Sequence, residues 1–271
     1  MAGPFISFLT DFGADTAPAT CRGVMWGIAP DARILDLTHS VRAFSVRDGA
    51  FLLWSSVPYL PVGVHVAVVD PGVGTARRPI AIRAARGDLL VGPDNGLLVP
   101  AAARLGGIVE ARVLTNRTLW RDDVSTTFHG RDIFSPVAAH LANGVDLTSV
   151  GEPIDGAALV QLAFPAATAR DGGLDSSVLF IDAFGNCRLA GEPRELEAAI
   201  GRPLAGVRLT MRHAGIVTEV PWCTSFGLVA AGELLAYEDA DYAGLAVAVN
   251  QGSAAERLRL TLDDPVRIEA A

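Results

Sequence analysis

Apolar runs that stop abruptly on a polar residue recur through the first half of the chain, with stretches of helical spacing between them. Residues 5–9 (FISFL) run into Thr10-Asp11, residues 33–37 (RILDL) into Thr38-His39, residues 64–69 (VHVAVV) into Asp70, and residues 89–91 (LLV) into Gly92-Pro93-Asp94-Asn95. Mostly apolar rather than alternating runs belong to strands buried on both faces, as in a partly parallel sheet. Residues 19–29 read as a helix stopped by Pro30. Residues 46–57 read as a second, stopped by Pro58, with Ala50, Leu53 and Val57 on one stripe. A third is expected from about residue 132 to 143, with Pro136 in its first turn and Gly144 just past its end. Strands alternating with helices demand an α/β layer structure, in which ligands bind outside the carboxyl ends of the strands. The polar residues that end the runs are therefore expected to gather at one edge.

The pattern changes after about residue 165. Residues 165–173 (PAATARDGG) are small and polar, and 166–173 is read as a linker between a domain of residues 1–165 and a second of 174–271. Beyond it, residues 177–181, 206–211, 216–220, 234–237, 245–249 and 258–262 read as strands, and only 193–200 reads as helix, with Pro193 suited to a first helical position. The expected fold is thus an α/β N-terminal domain with a partly parallel sheet, followed by a smaller, mostly β domain.

Composition excludes several classes of function. The net charge of −8 opposes nucleic acids and anionic membrane surfaces. All 22 basic residues are Arg, so Schiff-base and P-loop lysine chemistry is excluded. Cys21, Cys187 and Cys223 form neither a CxxC pair nor a zinc cluster and are read as buried thiols in a reducing cytoplasm. The start, MAGPFISFLTDFG, lacks the basic and long apolar regions of a signal peptide, and no apolar run approaches the ~20 residues that span a bilayer. The dinucleotide GxGxxG, the phosphate-loop GxxxxGK, the HExxH and the GxSxG patterns are all missing. The five histidines show no metal-ligand spacing, so no metal and no cofactor are expected.

Four polar loops remain, each open to two readings. Asp11, in TDFG, either accepts hydrogen bonds from the vicinal hydroxyls of a ribose or caps the next helix. Asp70 and Arg77, in VDPGVGTAR, either face a ligand across a glycine turn or form a surface ion pair. His129, in TFHGRD just before a helix, is held neutral by the helix terminus; it is either a base beside the open space left by Gly130 or a structural hydrogen-bonder. Asp182 and Asn186, in DAFGN, either grip a zwitterion or close an Asx turn.

Together TDFG, VVDPGVGTARR, PDNG, TFHGRD and DAFGN, in this order and spacing, resemble the S-adenosyl-L-methionine hydroxide adenosyltransferases (S-adenosylmethionine hydrolases), relatives of the fluorinases and chlorinases. The resemblance runs from Ile6 to about Ala255. It implies a fluorinase-like fold, a homotrimer with active sites at subunit interfaces, and attack of water or hydroxide on C5′ of S-adenosylmethionine to release adenosine and methionine; the cytoplasmic location is expected from the missing signal peptide and membrane span. Carried over by motif, Asp70, Arg77 and His129 form the hydrolytic triad. Asp11 holds the ribose hydroxyls with Asn95 beside it, Asp182 and Asn186 bind the methionine end, and Phe184 and Phe226 pack near the adenosine. Phe44 stands where the halogenating relatives have a pocket-lining Trp; those relatives also replace the Asp and His of the triad. The alternatives are a halide-using relative and a non-catalytic binder of S-adenosylmethionine or adenosine, which would need no intact triad. One departure stands out: relatives hold the methionine carboxylate with a Ser in a loop near the C-terminus, whereas residues 237–244 here read YEDADYAG, about one residue longer and without it.

Overall fold

The computed structural model describes residues 3–271; Met1 and Ala2, the first residues of the stretch read against a signal peptide, lie outside them. The chain divides into two compact units between Ala163 and Phe164.

The first unit is built on β1 (Phe5–Thr10), α1 (Ala17–Ile28), β2 (Arg33–Thr38), α2 (Val46–Ser56), β3 (Val64–Val68), β4 (Pro79–Ala84), β5 (Leu89–Pro93), α3 (Val99–Arg104), β6 (Ile108–Val113) and α4 (Ser135–Ala142). Its sheet has the order β2-β1-β3-β5-β4-β6. The four strands expected from the sequence pair in parallel, and β4 joins β5 and β6 antiparallel. Alternation along β1 and β3 sends Ile6, Phe8, Val64, Val66 and Val68 to one face, where Met25 of α1 and Val137 and Ala138 of α4 cover them. The opposite face holds Val69, against which α2 packs so closely that a Cβ on Gly49 would come within 2.9 Å of it. Thus the connection from β1 covers one face and that from β2 the other, which makes the crevice between the ends of β1 and β3 a topological switch point.

β4 and β6 were not expected. Antiparallel β4 carries Arg83 between its buried Ile and Ala residues, and β6 carries Glu110 and Arg112. Arg83, Glu110 and Arg112 interrupt the apolar runs of these two strands, and neither run ends on one of the polar motifs that mark the four parallel strands. The third helix also differs: residues 130–134 form a π-turn and α4 begins at Ser135. Pro136 then falls in the first helical turn, where no N–H is needed.

The second unit comprises β7 (Thr168–Arg170), β8 (Gly173–Ile181), β9 (Cys187–Leu189), α5 (Pro193–Ile200), β10 (Arg208–His213), β11 (Ile216–Pro221), β12 (Leu234–Asp239), β13 (Gly244–Val249), α6 (Ala254–Leu258) and β14 (Pro265–Ala270). The strands form one antiparallel sheet, ordered β11-β10-β14-β8-β9-β13-β12, with β7 on β8. A bridge between Trp222 and Ala236 links its two ends, so the sheet curls toward closure around Leu174, Val178, Leu209, Val247 and Ile268. Within the stretch read as a linker, residues 168–170 are strand β7. Residues 258–262, expected as a strand, are not one: Ser253 caps α6 through the Glu256 N–H, and Arg259 then turns left-handed at φ 54°. Among the described residues no helix is long and apolar enough to cross a membrane.

Candidate active site

At the β1/β3 switch point, four loops of the first unit surround a cavity of about 250 Å³. Asp11 and Phe12 come from the end of β1, Ala43 and Phe44 from the turn before α2, Asp70 and Val73 from the loop after β3, and residues 127–130 from the approach to the π-turn. This is the edge where the sequence pattern gathers its polar residues.

The loop after β3 reverses the chain and brings Arg77 back onto Asp70. Arg77 Nε and Nη2 donate to the two carboxylate oxygens at 3.2 and 2.6 Å, and the side chains are only 7% and 5% exposed. The surface ion pair that one reading foresaw is therefore a buried, two-pronged one. Gly74 allows the loop's position: at φ +75° its missing Cβ would lie 2.5 Å from the Thr126 carbonyl oxygen. The loops of residues 70–77 and 125–129 are thus pressed together, and Arg77 Nη2 also lies 3.1 Å from His129 Nδ1. Arginine can only donate, so Nδ1 accepts, and the neutral ring carries its hydrogen on Nε2. Arg77 Nη1 is buried without a hydrogen-bond partner among the described residues, while the guanidinium stacks over Phe134 at 5.3 Å. Burial first, and then Arg77, hold His129 below the ordinary imidazole range. The neutral ring expected from a helix terminus is thus favoured chiefly by desolvation and a neighbouring cation.

Asp11 Oδ2 accepts the Phe44 backbone N–H at 2.9 Å, rather than capping α1, whose N-cap is Thr16. Phe44 is left-handed at φ 67° and 73% exposed. Asn95, expected beside the ribose hydroxyls, does not line the cavity. Its amide donates to the Val69 carbonyl and accepts from the Leu97 N–H, bracing the residue before Asp70. Phe12 and Phe128 pack edge-on at 5.6 Å in the cavity wall. Neither ring was expected in the site, although Phe12 follows Asp11 and Phe128 precedes His129. Gly130 admits the Phe12 ring, since a Cβ there would lie 2.8 Å from Cζ.

The remaining expected residues belong to the second unit. Asp182 Oδ1 accepts the N–H groups of Phe184 and Asn186, and Oδ2 accepts Asn186 Nδ2 at 2.9 Å. The Asx turn is therefore formed, with Phe184 78% exposed on it. Phe226 packs against Tyr237 at 5.2 Å. In the divergent loop, the Tyr242 ring turns inward and its hydroxyl accepts the Leu189 N–H, while Arg188 donates to Asp239 and Asp241. Cys21, Cys187 and Cys223 are free and buried.

The family model described as the SAM hydroxide adenosyltransferase N-terminal domain matches residues 6–151, and the corresponding C-terminal domain matches residues 176–267. A protein of Salinispora tropica named (R)-S-adenosyl-L-methionine hydrolase is 48% identical over 268 residues, covering 98% of each chain. A Salinispora arenicola protein of the same name is 47% identical over 269 residues, again with 98% coverage of each. The crystal structure of an uncharacterized conserved protein from Thermotoga maritima superimposes with a TM-score of 0.90 at 33% identity, covering 97% of this chain and 99% of that one.

Proposed function

The chain belongs to the SAM hydroxide adenosyltransferase family, and from that premise and the geometry of its site we propose that it is an enzyme hydrolysing S-adenosyl-L-methionine to adenosine and L-methionine. The observation that carries the reading is the bonded triad: Arg77 held at once by Asp70 and His129, beside a cavity that Asp11 also lines.

The water oxygen attacks C5′, the C5′–S bond breaks, and its electron pair returns to sulfur as the thioether of methionine; one water proton is released. The sulfonium is a good leaving group, so the protein's task is to position one water in line and exclude others. Arg77 does not line the cavity; its charge, held beside Asp70 and His129, stabilises the hydroxide character that the oxygen gains. His129, with Nδ1 engaged by Arg77, orients the water from Nε2, and the Asp70 carboxylate takes the proton. Asp11 binds the ribose hydroxyls from the cavity wall, with Phe44 over them. Asp182 and Asn186 receive the methionine end, and Phe184 and Phe226 the adenosine. No metal or cofactor is called for.

The assembly that fits this division of labour is a cytoplasmic homotrimer with sites at subunit interfaces. The exposed Phe44 and Phe184 give such contacts apolar anchors, and three unpaired cysteines suit a reducing compartment. Purified protein incubated with S-adenosylmethionine and no added halide should release adenosine and methionine in equal amounts, read by chromatography. Intact substrate, or turnover only with chloride present, overturns the reading.

A further inference from the structure

His129 is presented by residues 121–128, which form no helix or strand, so its register against Arg77 needs another source. That source is Asp132, whose side chain is fully buried. Its Oδ2 accepts the Ser125 N–H at 2.9 Å, and its own N–H donates to the Phe128 carbonyl at 3.2 Å. Its carbonyl accepts the Arg121 N–H at 3.0 Å. One residue thus ties the loop at its start, its middle and the position before His129. The same carboxylate receives Arg131 Nε and Nη2 at 2.7 and 2.9 Å, and the guanidinium so fixed lies over the Phe128 ring at 4.9 Å. Phe128 in turn meets Phe12 in the cavity wall.

We infer that Asp132 is the positioning residue of the site, locking the His129 loop against Arg77 and, through Arg131, setting the Phe128–Phe12 wall. The role in turnover rests on the hydrolytic reading above; the role in holding His129 does not. Burial opposes ionisation of Asp132, but the bonds from Arg131 and the Ser125 N–H outweigh it and keep the carboxylate below its usual range. Three charged groups act on His129: Arg77 and Asp70 from the facing loop, and Asp132 from its own turn. Arg77 lowers its proton affinity; the two carboxylates raise it. Protonation at Nδ1 breaks the bond from Arg77, so activity falls as pH drops through the His129 value.

Asp132→Asn tests the inference in the full-length protein. It should lower kcat on the order of 10²-fold, the scale of a misplaced catalytic group, and leave KM within about threefold. The His129 ring signal, assigned among the histidines by its loss in His129→Asn, should titrate at lower pH than in the unaltered protein, and the acid limb of kcat should move with it. A folded Asp132→Asn protein with unaltered kcat, or with reduced kcat and an unmoved His129 titration, overturns the inference. If the asparagine variant does not fold, Asp132→Glu keeps the charge but moves it by one methylene. A kcat equal to that of the unaltered protein in that variant overturns it equally. If the unaltered protein itself releases no adenosine, the hydrolytic reading fails, and the His129 titration alone decides the role of Asp132.

Discussion

Arg77 bridges Asp70 and His129, so its removal costs both a partner, whereas removal of either of them costs only Arg77 one. Each should act mainly in the transition state, so single alanine variants should lower kcat by roughly 10²–10⁴-fold with smaller effects on binding. Their effects should not add: Asp70→Ala with His129→Ala should be little worse than the poorer single variant, measured as kcat of folded protein. Asp70→Ala also strands a buried guanidinium, at about 3–5 kcal/mol of stability read from denaturant unfolding. Gly130→Ala separates the site from the scaffold. Its new Cβ meets the far end of the Phe12 ring rather than backbone, so KM should rise while Tm hardly moves; a large fall in Tm at unchanged KM would contradict this. Asp70 and Arg77 were legible as a facing pair because they bracket a glycine turn, whereas their grouping with His129 came from the resemblance of the whole motif set. The bond from Asn95 to the Val69 carbonyl was not legible: an amide that holds a carbonyl and one that holds a ligand look alike until the backbone around them is placed.

At the scale of an element, the turn of residues 182–186 has a double duty that its sequence left undecided. Its carboxylate closes an Asx turn, and in the proposed function it also faces the substrate ammonium. Asp182→Asn keeps an oxygen for the two N–H groups but loses the charge. It should raise KM with kcat changed far less, since the ammonium keeps its charge throughout the reaction. A collapse of kcat at constant KM would exclude that role. Helix α5 was legible from Pro193 to Ile200 because Pro193 opens it, with Glu192 and Glu195 forming a reciprocal cap and left-handed Gly201 ending it. Residues 258–262 misled because Leu258, Leu260 and Leu262 alternate as in a strand, whereas the hydroxyl of Ser253 had already committed the chain to a helix. The π-turn, closed by the Ser135 N–H on the Gly130 carbonyl five residues back, has no signature in the sequence.

Over the whole molecule, the division into α/β and β units follows from the change in apolar pattern, while the charges inside the first sheet do not. His65 links Ser7 and Asp88 at 2.8 and 2.9 Å, all three fully buried, and Arg86 completes the network on the same carboxylate. Burial pushes Asp88 up, but Arg86 and His65 hold it far below the usual carboxylate range. Because its folded value is depressed, the stability it contributes is present above the ordinary value near 4 and is lost as pH falls below it. Asp88→Asn should therefore cost about 3–5 kcal/mol near neutral pH and flatten the acid side of the stability profile; equal losses at pH 7 and pH 3 would refute this. Light scattering should find the trimer, and a stable, active monomer would exclude it. Phe44 carries a last consequence. Asp11 clamps its backbone in a left-handed well while its ring stands in solvent, so the loop bearing it is ordered before anything covers it. A nucleoside or a neighbouring copy arriving there meets a stiff surface and freezes little motion in docking. Phe44→Gly would trade that stiffness for a relaxed backbone, and calorimetry would register the change as a larger entropic penalty on association rather than as a weaker fold.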